Sequence, residues 1–197
     1  MAQVEAFMAH LATLHPNKPK IFLSGNSYGG AMTFKCAQLH PGRYSGLIFI
    51  APALRDQPSN SPCLKKIGKM IGWMMPRYKM VDQDFSDGTS YNTNKTIEDD
   101  PLFYTGQNVA GSVRTVLNAM EEISQQYSQL SHPYITFQAG VDKFVDTFAG
   151  LDLEKESPSP DKTTVYCTEG WHVLLADLTG EGITRMVGEW LKQRIPQ

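Results

Sequence analysis

Apolar residues recur three or four positions apart in several parts of the chain, which is the spacing of an amphipathic helix. The first helix opens the chain and ends before Pro16, and a second is predicted over residues 31–40. A longer helix is predicted over 112–130, and a last one lies near the C-terminus. The apolar positions of the first and last helices are Val4, Phe7, Met8, Leu11, Leu14, Ile183, Met186, Val187, Trp190 and Leu191.

Short apolar runs lie between these helices. They are "KIFLSG" at 20–25, "SGLIFIAPA" at 45–53, "YITFQ" at 134–138 and "TTVYC" at 163–167. A nearly unbroken apolar run such as 45–53 is typical of a strand that is covered on both faces. Strands that alternate with helices predict the α/β class, with a parallel sheet and helices on both of its faces.

Residues 54–111 differ in character from the rest of the chain. The stretch begins with the loop "RDQPSNSPC", continues with the methionine-rich helical piece "LKKIGKMIGWMMPRY" and ends in the polar, turn-rich "SDGTSYNTNKTIEDDPL". We interpret this stretch as an insertion into a single domain. The core then consists of residues 1–53 and 112–197, with a lid or cap formed by 54–111.

Composition excludes several classes of protein. The 197 residues suffice for one domain, and the net charge of −2 gives no basic excess that would indicate a nucleic-acid partner. Three scattered cysteines indicate neither a disulfide framework nor a zinc site and favour a reducing compartment. The N-terminus does not have the pattern of a signal peptide, and no apolar run is long enough to span a membrane. We therefore expect a cytoplasmic protein.

The sequence "SGNSYGG" at 24–30 contains the pattern G-x-S-x-G, centred on Ser27. It follows a predicted strand and precedes a predicted helix, which is the context of a nucleophile elbow. In such an elbow the serine has a strained backbone, and small residues two positions before and after it, here Gly25 and Gly29, avoid clashes across the turn. The alternative is a small-residue loop without a chemical role.

A serine nucleophile requires a base and an orienting carboxylate. In this kind of fold they follow in the order acid, then histidine, each on a loop after a strand. Asp142 comes four residues after "YITFQ", and His172 comes five residues after "TTVYC". Asp146 is a second candidate for the acid. His172 is the histidine that follows a strand at the expected edge, whereas the other four lie on or near helices or before a strand.

These residues resemble the monoacylglycerol lipase and lysophospholipase branch of the α/β-hydrolases. The resemblance extends over nearly the whole chain. It is carried by "IFLSGNSYGGAM", "HPGRYSGLIFIAPAL", "NKT" and "DDPL" in the insertion, "QAGVDKFVD" and "EGWHVLL". It implies an α/β-hydrolase fold with a lid insertion, and a serine hydrolase that needs no metal or organic cofactor.

The resemblance also implies roles for individual residues. Ser27 is the expected nucleophile, Asp142 the acid and His172 the base, and the backbone N–H of Tyr28 is an expected oxyanion donor. The family usually has histidine and methionine beside the serine, where this chain has Asn26 and Tyr28. We therefore expect Asn26 to contribute to substrate binding, in an acyl pocket that these two residues reshape.

The chain begins at the helix before the elbow strand, so it contains neither the earlier strands of the family nor their H-G-type loop, which donates a second oxyanion hydrogen bond. The outer side of strand 20–25 then has no partner in this chain, and an exposed strand edge promotes aggregation. We expect either that the sequence is an N-terminally incomplete version of a longer chain or that a partner chain covers this edge. Loss of one oxyanion donor lowers the rate by about 10²–10³-fold.

The helical piece of the insertion combines lysines with apolar residues. We expect Lys65, Lys66 and Lys69 to form a rim beside an apolar face. Such a face suits a lipid chain and contact with a membrane interface. We expect it to serve as a lid and to bind substrate through Met70, Trp73 and Met74. The alternative is a short helix packed on the core, with its lysines in solvent.

Three functional hypotheses follow. The first is a serine hydrolase that acts on a lipid ester, either a monoacylglycerol or a lysophospholipid. The second is a hydrolase-derived structural subunit with little turnover, whose sheet a partner completes. The third is an esterase or peptidase that uses the same catalytic residues.

Overall fold

The computed structural model describes residues 2–58, 61–81, 102 and 106–195. Helices and strands alternate along much of this part of the chain, as the hydrophobic pattern predicts. The helices are α1 (Ala2–Leu14), α2 (Tyr28–Leu39), α3 (Pro62–Met74), α4 (Ala110–Ser124), α5 (Ala149–Glu156) and α6 (Gly180–Lys192). The strands are β1 (Phe22–Asn26), β2 (Gly46–Ile50), β3 (Lys79–Val81), β4 (Asn108–Val109), β5 (Tyr134–Ala139) and β6 (Lys162–Cys167).

Four strands form a parallel sheet in the order β1-β2-β5-β6. Phe22 of β1 lies opposite Gly46 of β2, and Leu47 of β2 lies opposite Tyr134 of β5. Because the strands are parallel, their carboxyl ends meet at one edge of the sheet. Loops from three different strands therefore converge there.

Each face of the sheet is covered by its own cluster of apolar side chains. On one face, Leu47 and Phe49 of β2 pack in a cluster with Phe34 of α2. On the other face, Ile48 belongs to a cluster with Trp190 of α6. Alternate residues of a strand point to opposite faces, and every residue of β2 is buried. This confirms the predicted α/β class with helices on both faces of a parallel sheet.

Strand β1 forms one edge of the sheet, and within the described ranges it pairs only with β2. Gly25 is the one fully buried residue of β1, whereas all of β2 is buried. Helix α1 contains no buried residue, and its Phe7 is 60 % exposed. The outer edge of β1 is thus unpaired in this part of the chain.

Residues 152–162, "DLEKESPSPDK", have the polar composition of a loop, but helix α5 extends through the first part of this stretch. The loop begins only after this helix, which buries Ala149 and Leu153 against the core. A helix of eight residues has little stability of its own and forms because tertiary packing holds it. Its few apolar positions give too weak a periodic signal to predict it.

The helix predicted over 112–130 is divided in two. Helix α4 ends at Ser124, and a 3₁₀ turn follows at Tyr127–Gln129. The break allows Tyr127 to point into the core, where its hydroxyl donates to the carbonyl oxygen of Leu54 at 3.3 Å. Burial raises the pKa of this phenol.

The described part of the insertion contains α3 and a small antiparallel pair formed by β3 and β4. Helix α3 packs on α4 at Gly72, where a Cβ would lie 2.4 Å from the carbonyl oxygen of Ala110. The "NKT" and "DDP" of the insertion lie outside the described residues. The division into a core of 1–53 and 112–197 and a lid of 54–111 stays a prediction.

Candidate active site

Ser27 lies in the turn that joins β1 to α2, at the carboxyl edge of the sheet. Its φ of 52° and ψ of −121° are values that residues with a side chain rarely adopt. Its N–H donates to the carbonyl oxygen of Ile50 at 3.0 Å, and its own carbonyl oxygen accepts from the N–H groups of Gly30 at 2.9 Å and Ala53 at 2.8 Å. These bonds hold Ser27 in the strained strand–turn–helix geometry that the sequence predicts.

Two glycines make this turn sterically possible. A Cβ at Gly25 would lie 2.1 Å from the carbonyl oxygen of Gly29, and one at Gly30 would lie 2.5 Å from the Cβ of Pro52. A Cβ at Gly29 would meet nothing within 4 Å. The five-residue pattern predicts close contacts at positions 25 and 29, and the structure corrects the second of these to position 30.

His172 follows β6, and its ring lies between Ser27 and Asp142. Its Nε2 is 2.8 Å from Ser27 Oγ, and its Nδ1 is 2.7 Å from Asp142 Oδ2. The ring of Phe144 packs on the imidazole with the centroids 5.0 Å apart, and 12 % of the His172 side chain is exposed. When Nδ1–H donates to the carboxylate, Nε2 is left as an acceptor for the serine proton.

Asp142 lies in the loop after β5, and its side chain is fully buried. Its Oδ1 accepts two backbone N–H groups, from Phe144 at 2.8 Å and from Val145 at 3.1 Å. Its Oδ2 is the partner of His172. Both carboxylate oxygens are therefore satisfied, as a buried charge requires.

Asp146, the alternative acid, contacts Arg55 instead. Its Oδ2 accepts from Arg55 Nε at 2.6 Å, and Arg55 Nη2 donates to Asp152 Oδ2 at 2.7 Å. Although burial alone lowers the pKa of Arg55, hydrogen bonds to these two carboxylates raise it above its ordinary value. Of the two candidate acids, Asp142 is the one that the structure places against His172.

Tyr28 is the first residue of α2, so its backbone N–H has no acceptor within the helix. That N–H adjoins Ser27 at the positive end of the helix dipole, where the sequence predicts an oxyanion donor. Asn26, on the other side of Ser27, is exposed. The roles of Tyr28 and Asn26 stay predictions.

A cavity of about 400 Å³ lies beside Tyr28. It is lined by Tyr28, Gly111, Ser112, Thr115 and Val116.

Met70, Trp73 and Met74 are the predicted substrate-binding residues of α3, and all three are exposed. Trp73 is 70 % exposed, and none of the three lines the cavity beside Tyr28. They belong to an apolar surface that faces away from the core. Their role in substrate binding stays a prediction.

The three lysines of α3 all line one cavity of about 470 Å³, and their role as a rim stays a prediction. Lys65 Nζ lies 2.7 Å from Asp56 Oδ2, and Lys69 forms an ion pair with Glu121 of α4. Lys66 is exposed. Lys65 and Lys69 thus connect α3 to the segment before it and to α4, so these two lysines are not simply solvated.

Sequence reasoning missed Gln57, which lies between β2 and α3 in the segment interpreted as a loop. Its Nε2 donates to the carbonyl oxygens of Asp142 at 2.7 Å and Val145 at 2.6 Å. The one available signal is that Gln57 is polar and follows β2, the neighbour of β5. No periodic pattern marks such a residue.

Metal ligands and membrane-spanning segments are two further features that bear on function. Across residues 2–58, 61–81, 102 and 106–195, no group of three His, Cys, Asp or Glu side chains is placed to hold a metal ion. In the same ranges, no helix combines the length and the apolar character needed to cross a lipid bilayer.

Known proteins share both the sequence and the fold of this chain. The family model Hydrolase_4, described as serine aminopeptidase S33, matches residues 1–179. The monoglyceride lipase of Rattus norvegicus is 27 % identical over 202 residues, a match that covers 98 % of this chain and 65 % of the relative.

Two solved structures are similar in fold. The monoacylglycerol lipase of Paleococcus ferrophilus has a TM-score of 0.81 and 23 % identity, with 96 % of this chain and 75 % of that one covered. A soluble variant of the monoglyceride lipase of Saccharomyces cerevisiae, in complex with a substrate analogue, has a TM-score of 0.86 and 15 % identity, with 100 % and 69 % covered.

The chain spans 65 % of the length of the rat relative. The family model, in contrast, matches most of the chain, through residue 179 of 197. The matched part includes the Ser27 turn and the loops that carry Asp142 and His172. The chain therefore belongs to the Hydrolase_4 (serine aminopeptidase, S33) family of α/β-hydrolases and resembles its monoacylglycerol lipases.

Proposed function

We propose that this protein is a serine hydrolase that cleaves carboxylic esters of lipids, with Ser27 as the nucleophile. The observation that supports this most directly is the pair of contacts from His172, at 2.8 Å to Ser27 Oγ and 2.7 Å to Asp142 Oδ2. A serine hydroxyl attacks a carbonyl efficiently only when a base removes its proton. His172 is positioned to act as that base, and Asp142 to orient it.

The proposed reaction has two halves. Ser27 Oγ attacks the ester carbonyl while its proton passes to His172 Nε2, and the oxyanion that forms accepts a hydrogen bond from the N–H of Tyr28. The intermediate then expels the alcohol, which takes the proton from His172. In the second half, water attacks the acyl-enzyme by the same proton transfers and releases the fatty acid. Asp142 stays ionised throughout, and these groups require no metal or organic cofactor.

We propose a monoacylglycerol or a lysophospholipid as the substrate. The similarity to the rat monoglyceride lipase and to the Paleococcus ferrophilus monoacylglycerol lipase supports the first of these. Amide or other ester substrates use the same residues, and the family description names an aminopeptidase. Comparison of a long-chain monoacylglycerol, a lysophospholipid, a short-chain ester and an aminoacyl amide distinguishes these substrate classes.

A fluorophosphonate probe tests the nucleophile, because it reacts covalently with activated serines. We expect the full chain to be labelled and Ser27→Ala to lose all labelling. Ser24→Ala is the matched control, since Ser24 is an exposed serine of β1, close to Ser27 in the chain. If the folded wild-type protein takes up no label, or if Ser27→Ala is still labelled at the wild-type rate, the proposal fails.

We also propose a cytoplasmic protein that contacts lipid surfaces through the apolar face of α3, acting as a lid. The exposure of Met70, Trp73 and Met74 supports this, because an exposed apolar helix face suits a membrane interface.

The variant Met74→Ser tests this proposal. It is expected to reduce binding to phospholipid vesicles in a sedimentation assay. Met186→Ser on α6 is the control and should bind like the wild type. Equal binding by all three proteins would contradict the proposal.

The unpaired outer edge of β1 favours the alternative of a structural subunit whose sheet a partner chain completes. An edge strand exposes N–H and C=O groups that another strand can bind. This alternative predicts a stable complex with a second chain and no fluorophosphonate labelling of that complex. Labelling at Ser27 within the complex would reject it in favour of the hydrolase.

A further inference from the structure

Residues 55–57, between β2 and α3, run alongside the loop that carries the proposed acid. Asp56 and Val145 form an antiparallel bridge. The N–H of Asp146 donates to the carbonyl oxygen of Arg55 at 3.1 Å. The segment therefore supports the acid loop in the manner of a short extra strand.

Gln57 makes the most specific contact in this segment. A glutamine amide group has two donor hydrogens, and the Nε2 of Gln57 directs them at the carbonyl oxygens of Asp142, at 2.7 Å, and Val145, at 2.6 Å. From the other side of the same turn, Asp142 Oδ1 accepts the N–H groups of Phe144 and Val145. Gln57 thus binds two backbone carbonyl oxygens of the turn, and the Asp142 carboxylate binds two of the turn's backbone N–H groups.

This arrangement determines where the second oxygen of the carboxylate points. With Oδ1 fixed by the turn, Oδ2 is directed at His172 Nδ1. We infer that Gln57 is a positioning residue for catalysis, which fixes the orientation of Asp142 toward His172 by holding the 142–145 turn. The inference rests on the proposed hydrolase function, and Gln57 acts through Asp142 rather than on the substrate.

Gln57 is itself held in place by its neighbours. Its N–H donates to Asp56 Oδ1 at 2.9 Å, and Asp56 Oδ2 lies 2.7 Å from Lys65 Nζ in the first turns of α3. Lys65 Nζ also donates to the carbonyl oxygen of Gln57 at 3.4 Å. These contacts connect the start of the proposed lid helix to the acid loop. Lys65→Met is therefore expected to produce a weaker form of the Gln57 effect.

The variant Gln57→Met tests the inference, because methionine has a similar length and no donor. We expect kcat on a short-chain ester to fall on the order of 10- to 100-fold with KM unchanged, since a small displacement of a catalytic group is enough for such a loss. A displaced carboxylate also stabilises the imidazolium less, so the acid limb of the kcat/KM profile should move to lower pH. Gln38→Met is the control, because the side chain of Gln38 donates to Gln129 Oε1 at 3.3 Å near the surface.

A spectroscopic readout separates this inference from the proposed function. The hydrogen bond between His172 Nδ1–H and Asp142 gives a downfield proton resonance that is measured without turnover. We expect Gln57→Met to weaken or shift this resonance and Gln38→Met to leave it unchanged. An unlabelled wild-type protein would overturn the hydrolase proposal, whereas an unchanged resonance in folded Gln57→Met would overturn the positioning role.

Gln57→Asn provides a second variant if Gln57→Met does not fold. Its side chain is one methylene shorter and cannot span to both carbonyl oxygens, but it stays polar. If a folded Gln57 variant has a lower melting temperature but the kcat, pH profile and resonance of the wild type, then Gln57 stabilises the fold without positioning Asp142. That result also overturns the inference.

Discussion

The two sides of Ser27 differ in how completely they are packed. On the inner side, every residue of β2 and β5 is buried, and the loops after β5 and β6 carry Asp142 and His172. On the outer side, β1 is an edge strand and α1 contains no buried residue. The proposed nucleophile thus lies at the border between two described parts of the chain that differ in burial.

This difference separates two requirements of the proposed chemistry. Proton transfer needs Ser27, His172 and Asp142 in fixed positions, and buried contacts of the inner strands provide that. Oxyanion stabilisation needs N–H donors beside the serine, and the described residues offer Tyr28 at the start of α2. The first requirement depends on the Ser27 turn together with the loops after β5 and β6, whereas the second depends on the N–H donors beside Ser27, so activation of Ser27 and the rate of turnover can be tested separately.

The largest expected effect concerns the two aspartates of the inner side. Asp142→Asn should lower kcat by about 10⁴-fold, because an amide stabilises the wrong tautomer of the histidine. Asp146→Asn should instead lower the melting temperature, since it weakens the contact with Arg55. Ester hydrolysis and thermal unfolding of both variants measure this. If Asp146→Asn abolished turnover while its fold stayed intact, the two roles would be reversed.

The elements that could be predicted from the sequence are those with a strong pattern. Strand β2 is a continuous apolar run because both of its faces are covered. The loops with Asp142 and His172 could be located because parallel strands bring their carboxyl ends to one edge. Helix α5 could not be predicted, since packing rather than periodicity stabilises it.

The finer features of the site depend on contacts that no local pattern encodes. Gln57 reaches the carbonyl oxygen of a residue 85 positions away in the chain. Gly30 is required because Pro52, from the loop after β2, packs on it. Such requirements arise only when the strands are placed side by side, so the pattern identified Ser27 but neither of these supporting residues.

A pair of phenylalanine truncations tests the difference in packing directly. Phe49→Ala, in the centre of β2, should destabilise the fold by about 3–5 kcal/mol, because this fully buried ring leaves a cavity. Phe7→Ala, on the exposed α1, should change the free energy of unfolding by no more than about 0.5 kcal/mol. Chemical denaturation measures both values. A similar loss for the two variants would show that the Phe7 ring is buried in solution and would remove the contrast.

The smallest expected effect is a pH dependence of stability from His132, which precedes β5. Burial lowers the pKa of His132 below its ordinary value of 6.5, and its Nε2 has no hydrogen-bond partner among the residues that the structure describes. The unfolded chain therefore binds this proton at a higher pH than the folded protein does. Stability contributed by the neutral ring is complete above about pH 6.5, is lost as the pH falls toward the folded pKa and is constant below it.

The variant His132→Asn should remove this part of the acid destabilisation. Its free energy of unfolding should therefore fall less between pH 7 and pH 5 than that of the wild type, and the difference should correspond to about one titrating group. His10→Asn, at an exposed position of α1, is the matched histidine-to-asparagine change. Denaturant unfolding at several pH values measures all three proteins. If His132→Asn showed the same fall as the wild type, or if His10→Asn reduced the fall by as much as His132→Asn, then the burial of His132 would not be the source of this acid destabilisation, and the contrast between the two positions would be lost.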